Sequence, residues 1–252
     1  MKTFTKLLSI IFLATILIFS SCKKDEDSTV DPPAQDNQVF QLSHFVGTDV
    51  LEFTNIKYTN AFGNVYSVET LKYFISDITL EKADGTEFFI GEEHYVDGAD
   101  STTLAFNPVT TIPDGEYTSV SFIFGLSEEK NVNGRYPNPP ENLMEWPHAM
   151  GGGYHYMKLE GKFNEGGTTK NYQGHTGPTM GNQNFIEVTL PGSEFTVSGD
   201  TFTFTIKMDI NNWWTNPNTL DLNVVTGIMG NQDMQVIMHD NGNDVFSVLS
   251  IE

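Results

Sequence analysis

Phe202-Thr-Phe-Thr-Ile-Lys-Met-Asp-Ile210 alternates without a slip: Phe202, Phe204, Ile206, Met208 and Ile210 stand against Thr203, Thr205, Lys207 and Asp209. Successive side chains of an extended chain point to opposite faces, so this stretch is a strand with one face buried and one face wet. Similar short runs occupy the rest of the chain, at Val39 to Phe45, Leu51 to Tyr58, Leu71 to Lys82, Glu87 to Ile90, Tyr117 to Gly125, Tyr154 to Phe163, Asn184 to Leu190, Glu194 to Val197 and Met234 to Met238. Turn signals separate them: Asp84-Gly85, Pro113-Asp114-Gly115, Ser198-Gly199-Asp200 and Asn241-Gly242. Long amphipathic helices are absent, although Asp221 to Asp233 has room for a short one. The expected fold is therefore all-β, an antiparallel β-sandwich with long loops and at most short helices. With no fixed-period repeat and no break in composition, residues 39–252 read as one domain.

The amino terminus is of another kind. Lys2 and Lys6 precede the apolar run Leu7 to Phe19, and Ser20-Ser21-Cys22 closes it. That pattern is a secretory leader, residues 1–21, and Phe19-Ser20-Ser21-Cys22 resembles a bacterial lipobox in which Cys22 becomes lipidated. Residues 22–38, with Lys23-Lys24-Asp25-Glu26-Asp27 followed by Pro, Asp and Gln, read as a disordered acidic tether. The expected location is the outer membrane, as a lipoprotein that is periplasmic or surface-exposed. Cys22-Lys23-Lys24-Asp25-Glu26 is also similar to the signal, a cysteine then a lysine and two acids, that surface lipoproteins use to reach the outer leaflet.

Charge and cysteine usage exclude several functions. The formal charge is −20 for 252 residues, and the leader contributes two lysines and no acids. Nucleic acid and bare anionic bilayers are poor partners for such a surface. Cys22 is the single cysteine, so the domain holds neither a disulfide nor a thiolate metal site. No Gly-x-Ser-x-Gly, phosphate loop, dinucleotide fingerprint or His-Glu-x-x-His helix occurs. An enzyme is not expected.

Chemistry concentrates in Met144-Glu-Trp-Pro-His-Ala-Met-Gly-Gly-Gly-Tyr-His155 and the strand behind it. Pro147 favours extended geometry at Trp146, which lets Trp146 and His148 point to one side of the chain. Gly151 to Gly153 permit a tight turn. Alternation from Tyr154 puts His155 on the apolar face with Met157 and Leu159, and Glu160 on the polar one. The preceding Ser127 to Pro147, rich in Pro and Asn, is a connection of the length that usually carries function. His175, in Tyr172-Gln-Gly-His-Thr-Gly177, reads as a turn residue. Without a thiol the available soft or borderline ligands are imidazole and thioether, and two or three such groups suit Cu(I) better than Zn(II), which normally completes four. His155 also reads as a core histidine bonded to a carbonyl, and Trp146 as a plug at the end of the sandwich. Trp213-Trp214 reads as an aromatic lid or a sugar-stacking platform.

Tyr73-Phe-Ile-Ser-Asp77, Gly115-Glu-Tyr117, Met144-x-Trp146 leading to Lys158-Leu-x-Gly161, His175-x-Gly177 and Asn241-Gly-x-Asp-Val-Phe246, in this order, resemble the MbnP-like copper-binding family over nearly the whole mature domain. The resemblance implies Cu(I) held by two histidines and a kynurenine made by oxidation of a tryptophan two residues before one of them. It carries Trp146 over as the kynurenine precursor, and His148 and His175 as ligands. His155 offers a replacement or supplement for His148, and Met150 a thioether in place of kynurenine. The function expected is an extracytoplasmic, lipid-anchored protein that captures or stores Cu(I). The alternative is a non-metal surface module binding glycan or protein through Trp213, Trp214 and the long loop, with structural histidines.

Overall fold

The computed structural model describes residues 37–199 and 201–252; the leader, Cys22 and the tether up to residue 36 lie outside them. Strands Gln38–Val46 (β1), Asp49–Val50 (β2), Tyr58–Thr59 (β3) and Val65–Tyr66 (β4) lead to the two long strands Thr70–Lys82 (β5) and Glu87–Asp97 (β6). Then come Ala105–Phe106 (β7), Gly115–Phe124 (β8), Met157–Glu165 (β9), Thr168–Thr176 (β10), Ile186–Thr189 (β11), Phe195–Val197 (β12) and Phe202–Asp209 (β13). Helices Leu222–Val225 (α1) and Gln232–Gly242 (α2) precede the last strand, Phe246–Ile251 (β14).

Two sheets result. One has the order β14-β13-β1-β2, with β7 also on β1. The other runs β11-β8-β5-β9-β4-β3, with β10 on β9, β12 on β8 and β6 on β5. Their facing sides form one core, in which Phe124 meets Trp213 and Phe246, and Phe195 meets Phe204. The alternation Phe202, Phe204, Ile206, Met208 supplies the inner face of β13, all four being buried. The all-β sandwich is as expected from the sequence, apart from one pairing: β1 and β13 run parallel, Phe40 opposite Phe204 and Leu42 opposite Ile206.

The second sheet forks at β5, and this fork positions the site. β9 pairs with Thr70 to Tyr73 and β8 with Ile75 to Lys82, end to end on one side of β5, while β6 follows the other side. Segment 125–156 thus leaves the sheet and returns to it at one point, opposite Phe74. The Phe74 N–H donates to the Tyr156 carbonyl (3.1 Å) and the Phe74 carbonyl accepts from the Gly125 N–H (2.8 Å).

Four local expectations change. Met234 to Met238 is not a strand: it lies in α2, because Met234, Met238 and Asn241 are also spaced for one helical face, and Asn231 caps the helix by accepting from the Met234 N–H. Asn241-Gly242 is accordingly a helix end and not a hairpin turn; the Asn241 amide donates to the Trp213 and Asn218 carbonyls. Leu51 to Tyr58 is mostly irregular. β1 begins at Gln38, whose buried side chain exchanges hydrogen bonds with the Ile112 main chain at 3.1 and 2.7 Å. α1 and the single turn Ile228–Gly230 occupy the stretch expected to hold a short helix, and α2 is longer than expected.

His44, on the inner face of β1, is buried with its Nε2 2.9 Å from the Tyr73 hydroxyl. Burial pulls its pKa down to about 4. Because the unfolded chain binds the proton first, near pH 6.5, the stability His44 contributes is present above that pH and is lost as pH falls towards 4. His44→Gln is expected to flatten the fall in stability between pH 6.5 and 4 by on the order of 3 kcal/mol, read from denaturation midpoints of both proteins across that window.

Candidate metal centre

The segment between β8 and β9 is fastened to the sheet at several places. Arg135 grips Glu93 through Nη2 at 2.7 and 2.9 Å, and Lys130 donates to Asp77 (2.7 Å) and to the Glu92 carbonyl (2.9 Å). Tyr136 stacks on Phe74 with centroids 5.3 Å apart, and Phe74, Tyr95, Leu126, Met144, Tyr154 and Tyr156 form a second small core beneath the segment. Gly151, Gly152 and Gly153 all have positive φ, as the tight turn requires. Side-chain oxygens of Asn133 and Asn131 accept from the N–H groups of Gly153 (2.7 Å) and Tyr154 (2.6 Å), in the space where a Cβ at Gly152 or Gly153 would lie. The Pro- and Asn-rich composition is thus an instruction for a fixed cover.

Under this cover three aromatic rings meet. Trp146 lies 4.7 Å from His155 and His155 5.0 Å from His175, both pairs edge-on. All three residues are buried, at 1%, 4% and 9% exposure. Trp146 packs on Gly177, where a Cβ would come within 2.5 Å of the indole, so the glycine of His175-x-Gly177 makes room for the tryptophan. His175 is a strand residue of β10 opposite Lys158 of β9, not the turn residue its glycine neighbours indicated. Gln235 of α2 fixes the main chain on both sides of it, donating to the His175 carbonyl (2.8 Å) and accepting from the Gly177 N–H (3.1 Å).

Hydrogen bonds orient both imidazole rings. The Met144 carbonyl lies 2.8 Å from His155 Nδ1 and can only accept, so Nδ1 carries the proton. His155 Nε2 is then a bare lone pair, buried and without a hydrogen-bond partner. Burial first, and the nearby Lys158 charge second, pull the His155 pKa down to about 3, which keeps the ring neutral at physiological pH. His175 Nε2 sits 2.6 Å from the Glu160 carboxylate. The hydrogen bond with His175 is the main reason the Glu160 pKa is lowered, and the carboxylate orients the His175 ring through Nε2. Two oriented imidazole rings side by side are what a borderline or soft cation needs. Among the described residues no group of three or more His, Cys, Asp or Glu is placed to hold a metal ion.

The sequence candidates separate. Trp146, His155 and His175 come together; Met150 is at the edge, its carbonyl accepting from the Trp146 indole N–H at 3.3 Å. His148 is exposed, because His148–Met150 forms a 3-10 turn and the two-residue alternation with Trp146 breaks there. The alternation expected from Tyr154 holds only from Met157, since Tyr154, His155 and Tyr156 are all buried, and His155 faces Trp146 and His175 instead of the sandwich core. Glu160 and Gln235 were not visible as site residues: one read as a solvent-facing strand residue and the other as part of a strand. Trp213 and Trp214 are fully buried in the 3-10 helix Ile210–Trp214 and offer no sugar platform.

Fold and site together define a β-sandwich with a buried pair of histidines under a covering loop. The MbnP family model matches residues 35–235, and the chain belongs to the MbnP family. Among solved structures, MbnP from Methylosinus trichosporium has the same fold, with a TM-score of 0.58 and 12% identity over 84% of this chain and 96% of that one. No curated protein matches the sequence.

Proposed function

We propose that this protein is a lipid-anchored, extracytoplasmic protein that captures or stores Cu(I) and turns over no substrate. The observation that carries the reading is His155 Nε2, a buried lone pair with no hydrogen-bond partner, next to the ring of His175. A buried acceptor left unpaired costs stability unless a ligand satisfies it, and a neutral imidazole nitrogen is a copper donor. Membership of the MbnP family supports a copper-related role. His155 and His175 supply the two nitrogens, and Trp146, in contact with His155, supplies the third position after conversion to kynurenine. His148 and Met150 stand at the rim. Cys22 is the attachment point for the lipid, and the acidic charge of the chain keeps nucleic acid away. The surface-module alternative loses its main support with the burial of Trp213 and Trp214.

The test is metal analysis with intact mass on the full chain purified from an envelope fraction. About one copper per chain supports the reading; a mass change on the Trp146 peptide matching kynurenine adds the third ligand. A chain that retains no copper after challenge would defeat it. Glu160→Gln keeps an acceptor for His175 but removes its charge, and is expected to weaken Cu(I) binding about 10–100-fold with little change in melting temperature. Competition against a chromogenic Cu(I) chelator measures this.

A further inference from the structure

The methionines are divided in a way that packing does not explain. Of the eight in the described residues, Met144, Met157, Met208 and Met238 are buried, and Met234 packs on the core. The remaining three, Met150, Met180 and Met229, lie on three segments whose main chains adjoin beside Trp146. The Met150 carbonyl accepts from the Met180 N–H (2.8 Å), and the Met229 carbonyl accepts from the Thr179 hydroxyl (2.9 Å). The Met150 methyl lies against Gly230, 3.8 Å from where its Cβ would be, so its thioether reaches the segment of Met229.

Met180 is held out at a conformational cost. Thr179-Met-Gly-Asn182 is a two-residue hairpin turn, closed by hydrogen bonds of 3.1 and 3.0 Å between Thr179 and Asn182. Both central residues have positive φ, 53° at Met180 and 86° at Gly181. Such a turn favours Asn-Gly; a long, unbranched side chain gains nothing there from the backbone. Met180 is nevertheless 68% exposed, the greatest exposure of any large hydrophobic residue described. A thioether that neither packs nor suits its turn still has one property to offer, softness towards Cu(I). Exposed His148 belongs to the same 3-10 turn as Met150.

We infer that Met150, Met180 and Met229 form a surface site that accepts Cu(I) through thioether sulfur and passes it inward past Trp146 to His155 and His175. This rests on the proposed copper function for its destination, not for the thioether site itself. Transfer is ligand exchange without redox change, from weaker sulfur donors to the two imidazoles.

The test uses the full chain with 13C-labelled methionine methyls, titrated anaerobically with the Cu(I)–acetonitrile complex, and single Met→Leu variants to assign signals. The methyls of Met150, Met180 and Met229 are expected to move while those of the buried methionines stay. The triple variant Met150→Leu, Met180→Leu, Met229→Leu should fill the inner site about tenfold more slowly, with unchanged final stoichiometry. Unmoved Met180 and Met229 methyls at saturating Cu(I), or wild-type loading by the triple variant, would overturn the inference. Methyls that move in a chain with no tight uptake would sink the proposed function and leave the thioether site standing.

Discussion

His155→Leu is expected to abolish tight copper uptake, lowering Cu(I) affinity by at least about 100-fold, because loss of a ligand exceeds the 10–100-fold typical of losing a supporting group. The same variant should fold as well as the parent. The Met144 carbonyl that accepts from Nδ1 also accepts from the His155 main-chain N–H at 2.7 Å, so it keeps a partner when the ring is gone. The substitution also removes the unpaired Nε2, and an apolar side chain of similar size suits a position 4% exposed. Copper competition and thermal melts on one preparation separate the two effects. Retained tight binding in this variant would remove His155 from the site, and a collapsed melting temperature would make it a structural histidine.

Gly161→Ala is expected to have the largest effect on the fold. A Cβ there would lie 2.0 Å from the Ser67 carbonyl oxygen and 2.9 Å from both the Ser67 carbonyl carbon and the Tyr172 ring. Neither neighbour can yield. Ser67 is tied to β9 through its N–H donating to the Lys162 carbonyl (2.8 Å), and the fully buried Tyr172 donates its hydroxyl to the Ser67 carbonyl (2.8 Å). Overpacking against main chain forces backbone shifts, with an expected cost of about 3 kcal/mol or more. For a domain of this size that is a fall in melting temperature of roughly 6–12 °C. A change under 2 °C by calorimetry would show that β4 and β9 move apart freely. Because β9 carries Glu160 and pairs with the strand of His175, copper affinity should fall with it.

The sandwich was legible because half-buried strands write their period into the sequence, as Phe202 to Met208 does. What escaped was non-local. Nothing in β1 or β13 alone announces that they pair in parallel, since the partners, such as Gln38 and Phe202, are distant in sequence. Met234 and Met238 satisfy two periods at once, and α2 was decided by its Asn231 cap and by the burial of Gln235 and Asn241 against distant segments. Residue types at the site were legible as well: Trp146, His155 and His175 stood out before any geometry. Their grouping was not. The indole and imidazole two apart at Trp146 and His148 looked like a unit, but a 3-10 turn sent His148 to the surface and tertiary contact brought His155 into its place. Glu160 acquires its role only through the β9–β10 register, which sequence spacing does not encode.

The most direct test of the central claim is X-ray absorption at the copper K-edge on the Cu(I)-loaded full chain. Two imidazole nitrogens in the first shell, with their outer-ring scattering, and loss of that signal in His155→Leu, is the predicted result. Failure to retain copper, or a first shell of sulfur alone that is indifferent to His155, would contradict the assignment of His155 and His175 as the metal centre.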